Sequence, residues 1–161
     1  MKKGDIIEIT IEDLAFPNIG KAVYNGKKIK IKNVLPGQKV RARISRSKKE
    51  YAEARAVEVI EQAEYEQKPG CEHFGLCGGC TYQSVPYEKQ LEIKSTQVKE
   101  ILDNILTEDY ELLPIVPSPK KTEYRNKMEF TFGNYEKGGQ LNLGMHVKNK
   151  SFSVITVDHC K

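Results

Sequence analysis

Four cysteines are the residues of this chain best suited to chemistry, and their spacing is specific: Cys71-x5-Cys77-x2-Cys80, then Cys160 far downstream. Thiolates are soft donors. Three in one loop with a remote fourth suit a single four-thiolate metal centre, provided the intervening chain folds back. Between Cys77 and Cys80, Gly78 and Gly79 remove two side chains where the backbone must wrap closely, and they offer N–H groups to sulfur. Structural zinc usually presents two C-x2-C pairs, whereas this chain has one pair, one offset cysteine and one distant one. The plant-type two-iron spacing, C-x4-C-x2-C with a remote fourth ligand, differs by one residue in its first gap, and a four-iron cluster takes four thiolates as well. Spacing leaves zinc and iron–sulfur both open. His73, His146 and His159 lack ligand spacing and read as structural or surface histidines.

The elements around the cysteines are mainly strands. Over residues 1–62, Ile7, Ile9 and Ile11 alternate with Glu8, Thr10 and Glu12, and Gly20–Tyr24 and Lys27–Lys32 flank Asn25-Gly26, a strong two-residue hairpin signal. Pro36-Gly37 turns the chain into Lys39–Ser45, and Tyr51–Ile60 supplies a fifth strand. Five short strands predict a small OB-like barrel. Ala52, Ala54 and Ala56 share a parity that Val57 and Val59 break, which a β-bulge or a late exit from the barrel would explain.

Net charge is only +4 over 161 residues, but its distribution is uneven. From Leu14 through Lys49 there are eleven Lys or Arg and no Asp or Glu. The period of two in Lys28, Lys30, Lys32 and in Lys39, Arg41, Arg43 gathers cations on one outer face. That face suits a polyphosphate backbone, with Lys21, Lys28, Lys30, Lys32, Lys39, Arg41, Arg43, Arg46 and Lys48 as the candidate nucleic-acid contacts. Only Tyr24 and Tyr51 lie near these strands, so backbone contact is better supported than base stacking. An electron-transfer ferredoxin has no need of such a surface.

Residues 63–70 are polar, end in Pro69-Gly70 and read as a linker into the cysteine loop. Ser84-Val-Pro86 then opens a helix running to about residue 105, with Leu91, Val98, Ile101, Leu102 and Ile105 as its apolar stripe. After a Pro-rich connection, Met128, Phe130 and Phe132, then Leu141, Leu143, Met145 and Val147, then Phe152–Val157 predict a three-stranded meander that delivers Cys160. The expected class is therefore mainly β with one or two helices (α+β). The N-terminus, Met1-Lys-Lys-Gly-Asp, is no signal peptide, and no apolar run approaches the roughly 18 residues a membrane span needs. A cytoplasmic location with no membrane partner is expected, where clustered cysteines favour metal or redox chemistry over disulfides.

The run Cys71–Gln83, CEHFGLCGGCTYQ, with Tyr87, Gln90-Leu91 and Lys94, resembles the signature of the bacterial RNA (uracil-5-)-methyltransferases, the TrmA/RumA-like group. Gly20-Lys-Ala-Val23 with Val34-Leu-Pro-Gly-Gln-Lys-Val40 resembles the TRAM pattern of that family, and Tyr124-Arg-Asn-Lys127 resembles a motif lying near bound RNA. The resemblance implies a TRAM RNA-binding domain over 1–62 and an incomplete cluster-bearing central domain over 71–161. It implies a four-iron four-sulfur (4Fe-4S) cluster on Cys71, Cys77, Cys80 and Cys160, further RNA contacts at Arg125 and Lys127, and ribosomal RNA, 23S rRNA, as the target.

Methylation of uracil at C5 requires a thiolate to add at C6, a base for the C5 proton and S-adenosyl-L-methionine as donor. No cysteine is spare, and no G-x-G-x-x-G fingerprint occurs. Family members carry those parts after the fourth cluster cysteine, so the expectation is a domain-level piece of a methyltransferase, with no catalytic residue in this chain and no activity alone. The competing expectation is a stand-alone, non-enzymatic RNA-binding module with a structural zinc or iron–sulfur site on the four cysteines.

Overall fold

Alternating isoleucines begin the fold in the computed structural model, which describes residues 1–160. Six strands form one curled sheet, β1 (Ile6–Thr10), β2 (Asp13–Ala15), β3 (Ile19–Tyr24), β4 (Lys27–Lys32), β5 (Lys39–Ser47) and β6 (Tyr51–Glu61), in the order β1-β5-β6-β4-β3-β2. All pairs are antiparallel except β4 with β6. Inside the curl, Ile7, Ile9, Ile29, Ile31, Val40, Ile44, Ala52 and Ala54 form one buried cluster, because strand alternation sends every second side chain to the concave face. The sequence predicts five strands and an OB-like barrel; the sheet has six and curls into a half-barrel. The additional strand, β2, is three residues long with Leu14 its one buried side chain, too short to show a period.

The turns follow the residues that set them. Asn25 and Gly26 both take positive φ, 49° and 75°, as a type I′ hairpin between β3 and β4 requires. Between β5 and β6 the register shifts at Arg41/Ala42 and at Lys39/Val40, so bulges account for the parity break at Val57 and Val59. A third shift at Ile44/Arg46 turns Arg46 to the face of its partner Glu53.

One helix forms, α1 (Tyr87–Ile105), and its contacts group it with the half-barrel: one unit comprises Met1–Glu66 and Glu88–Ile115, the other Gln67–Tyr87 and the chain from Val116 on. Its buried positions are Ile93 and Gln97, one turn apart. The expected stripe is not its core face, since Val98, Ile101 and Ile105 are 49%, 37% and 70% exposed. Lys21 Nζ of β3 ties the helix to the sheet, reaching Glu100 Oε1 at 2.6 Å, and the apolar spacing runs beyond the helix's buried positions. Residues 63–66, at the start of the stretch read as a linker, are fastened to the half-barrel. Ala63 is buried, Tyr65 Oη donates to the Pro36 carbonyl at 2.7 Å, and Gln38 Nε2 donates to Glu66 Oε1 at 2.8 Å.

In the other unit, β7 (Thr131–Asn134), β8 (Leu141–His146) and β9 (Val154–Thr156) form the expected antiparallel meander in the order β7-β8-β9. Gly138, at φ 78°, makes the β7–β8 turn. Gly144 is needed for close approach, because a Cβ there would overlap the Ile155 carbonyl. Among the described residues, no helix is long and apolar enough to cross a membrane.

Candidate functional site

The cysteine loop is built onto the end of β8. Gly78 N–H donates to the His146 carbonyl at 2.9 Å and Lys148 N–H to the Leu76 carbonyl at 2.8 Å, so Cys77 forms an antiparallel bridge with Val147. The loop closes on itself through Cys77 N–H to the His73 carbonyl at 2.8 Å, and Cys71 N–H donates to Gln83 Oε1 at 3.1 Å. Of the two loop glycines, Gly79 donates its N–H to Cys77 Sγ at 3.3 Å, whereas the Gly78 N–H is taken by the sheet. A Cβ at Gly78 would stand 3.1 Å from the His146 carbonyl oxygen, tighter than a comfortable contact.

All four cysteines have free thiols. Burial pushes the Cys80 thiol above its usual value, and the neighbouring Cys160, Cys77 and Cys71 push it further in that order, while the Arg125 guanidinium opposes them. Cys71, Cys77 and Cys80 are half-buried and Cys160 is exposed. Among the described residues, no group of three or more His, Cys, Asp or Glu side chains is arranged to hold a metal ion. His73 and His159 flank the loop with ring centroids 6.1 Å apart, and His73 Nε2 and His159 Nδ1 each lie 3.8 Å from Glu72 Oε1.

The unit holding these thiols has little else to fold around. Its buried hydrophobic side chains among the described residues are Val85, Val147 and Val154, against sixteen in the half-barrel unit. Four thiols are soft donors, and in chemistry they fit a metal–thiolate centre.

On the half-barrel the basic residues separate into two groups. Lys21 pairs with Asp13 at 2.7 Å and Glu100 at 2.6 Å, Lys39 with Glu61 at 3.0 Å, and Arg41 with Glu8 at 2.9 Å and with Glu58. Neighbouring strands and the helix supply acids that the run Leu14–Lys49 lacks. Lys28, Lys30, Lys32, Arg43, Arg46 and Lys48 have no ion-pair partner among the described residues. Lys30 and Lys48 stand over the Tyr51 ring at 4.7 and 5.1 Å from its centroid. Arg55 joins this second group, beside Lys32 on β4 and Arg43 on β5. It lies outside the acid-free run, but its parity with Tyr51 and Glu53 on β6 is the signal that places it on the outer face. In the cysteine-bearing unit, Lys127 pairs with Glu129 at 2.6 Å, and Arg125 Nη1 lies 3.7 Å from Met128 Sδ.

Residues 1–57 match the TRAM domain family. The chain is 49% identical over 161 residues to an RNA methyltransferase of Clostridium tetani, covering 100% of this chain and 35% of that protein. It is 48% identical over 160 residues to one of Clostridium acetobutylicum, with 99% and 35% covered. The similarity to these relatives runs over essentially the whole of this chain. It spans about a third of the length of these relatives. Among solved structures it resembles the Pyrococcus abyssi tRNA (uracil-54, C5)-methyltransferase bound to S-adenosyl-L-homocysteine, with a TM-score of 0.57 and 26% identity over 95% of this chain and 32% of that one.

Within the TRAM sheet, Lys21 is better suited to hold α1 than to hold RNA. Burial lowers its ammonium, but hydrogen bonds to Asp13 and Glu100 outweigh this and raise it, while Asp13 is held below the usual carboxylate value chiefly by its bond from Lys21. All three side chains are about a third exposed or more, so solvent screening limits the network to about 0.5–1 kcal/mol. Lys21→Met is expected to lower Tm by about 3 °C at neutral pH, with RNA affinity little changed, as calorimetry and binding titrations would show. The Asp13 contribution is present at neutral pH and is lost as pH falls through its lowered folded value. The Lys21 contribution is lost as pH rises through its raised one.

Proposed function

We propose that this chain is the RNA-gripping and cluster-bearing part of an S-adenosyl-L-methionine-dependent enzyme that makes 5-methyluridine in RNA. The observation that supports it is that Cys71, Cys77 and Cys160 all lie near enough to Cys80 to push its thiol up, in a chain whose TRAM domain has an unpaired basic face. The structural neighbour, a tRNA (uracil-54, C5)-methyltransferase, supports the uracil C5 chemistry. Cys71, Cys77, Cys80 and Cys160 would hold a four-iron four-sulfur cluster. It would tie the loop to the segment after β9, and four protein thiolates would leave it no open position for substrate.

The division of labour places residues 1–62 on RNA and residues 71–161 on the cluster, in the cytoplasm. Lys28, Lys30, Lys32, Arg43, Arg46, Lys48 and Arg55 bind phosphate on the open face, and in the cysteine-bearing unit Arg125 is the better candidate, since Lys127 is already paired with Glu129. Chemistry falls to the portion of the enzyme beyond this chain. There a thiolate would add at uracil C6 and leave again as a base takes the C5 proton, and S-adenosyl-L-methionine would supply the methyl group. Ribosomal RNA is the proposed target. Full-length protein with labelled methyl donor is expected to yield 5-methyluridine in 23S rRNA transcripts, with tRNA as the comparison, while the 161-residue chain binds RNA and transfers nothing. Methyl transfer by the chain alone, or methylation at another base, overturns the assignment.

A further inference from the structure

On the outer face of the half-barrel one aromatic ring stands among cations that no acid answers. Tyr51 begins β6, and strand alternation sets it outward with Glu53 and Arg55, while Ala52 and Ala54 point into the core. Lys28 is its register partner on β4, and the Lys48 N–H donates to the Tyr51 carbonyl at 2.9 Å. Lys30 lies opposite Glu53 in the same register, yet it has no ion pair among the described residues, and its ammonium stands over the Tyr51 ring, 4.7 Å from the centroid. The Lys48 ammonium stands 5.1 Å from the same centroid. Although it belongs to the outer face, the tyrosine is half-buried. An ammonium on an exposed ring is held weakly, and a phosphate oxygen takes it readily, because a hydrogen bond between opposite charges is the stronger contact.

We propose that Tyr51 is a stacking platform for one nucleobase of single-stranded RNA, uncovered when Lys30 and Lys48 move from its ring to the phosphates on either side of that base; this rests on the reading of the TRAM face as an RNA surface. The cations are placed for such an exchange. Lys28 and Lys30 project outward from β4, about 6.7 Å apart as alternate residues of a strand, and Lys48 lies on the connection between β5 and β6, so phosphates are met from two directions around the ring. The platform itself is rigid. Ala52, the next residue, is fully buried and pairs with Ile29 on one side and Ser47 on the other. Stacking uses the flat face that every base has, so it favours single-stranded over duplex RNA without choosing a sequence. Phosphate contacts alone make no such distinction, since both kinds of RNA present them.

The chain contains no tryptophan, so Tyr51→Trp supplies a single indole emitter at the site. Its emission is expected to fall on adding single-stranded oligoadenylate and to hold on adding inorganic polyphosphate or duplex RNA. Equal quenching by all three overturns the proposal. In binding titrations, Tyr51→Leu is expected to lose about tenfold in affinity for oligoadenylate, the worth of one stacked base, with its salt slope and its affinity for polyphosphate unchanged. Tyr51→Phe keeps the ring and is expected to bind oligoadenylate as the unaltered chain does. An equal loss for polyphosphate would make the ring a prop for Lys30 and Lys48, and loss in Tyr51→Phe as large as in Tyr51→Leu would assign the effect to the hydroxyl; either overturns stacking. Salt-dependent binding of oligoadenylate that Tyr51→Leu does not weaken sinks the stacking alone, whereas an unaltered chain that binds neither polymer sinks the RNA reading of the whole face with it.

Discussion

Anaerobic reconstitution of this chain with iron and sulfide is expected to load about four irons and four sulfides per polypeptide, and Cys160→Ser to abolish that loading. The expected effect is large because a cluster held there would couple its binding to folding of a unit whose buried hydrophobic side chains, among the described residues, are Val85, Val147 and Val154. Chelation should therefore erase the protection of amides that hold the loop to β8, Gly78 and Lys148 among them, while the TRAM sheet keeps its own. Cys160 is the most informative position to change. It alone comes from outside the loop, so its loss opens the longest link without disturbing the x5 and x2 spacings. Stoichiometric zinc without sulfide would refute the cluster, and retention of iron by Cys160→Ser would remove Cys160 from the ligand set.

The second large effect concerns which cations meet RNA. The triple variant Lys30→Ala/Arg43→Ala/Arg55→Ala is expected to weaken binding to single-stranded RNA by about tenfold or more. It should also reduce the slope of log affinity against log salt by about 2, near 0.7 per lost phosphate contact. Arg41→Ala should change both little, because Glu8 and Glu58 already neutralise its guanidinium. Salt titrations of the two variants side by side decide the matter. Equal losses would mean that Glu8 and Glu58 release Arg41 on binding, and no loss in the triple variant would overturn the outer-face assignment. None of the three replaced side chains has an ion pair among the described residues or a place in the buried cluster, so the fold should tolerate their removal.

Much of this architecture is legible in the residue order, because strands and hairpins are written in local periods. Alternating isoleucines, Asn25-Gly26, and the parity break at Val57 and Val59 each correspond to a strand, a turn or a bulge where expected. The cysteine spacings and the run through Gln83 point to a thiolate centre and to the family for the same reason: they are local patterns. The helix matches its expected extent but not its expected facing. Its apolar residues exceed those it buries, and only packing could select Ile93 and Gln97 over Val98 and Ile105.

Composition determined a chain with an acid-free basic run and four cysteines spaced for one centre. Strand order determined what those features meet. β5 lies between β1 and β6, and that placement brings Glu8 and Glu58 onto Arg41 and leaves Arg43 beside Arg55. No window along the sequence contains those pairs, since each joins strands that pair only once the sheet has curled. The same holds for Cys160, far from Cys80 along the chain and near it only after β8 and β9 have paired and the loop has been fastened to β8. Local chemistry chose the parts, and the long-range pairing of backbone hydrogen bonds decided which charges cancel, which remain open and which thiols converge.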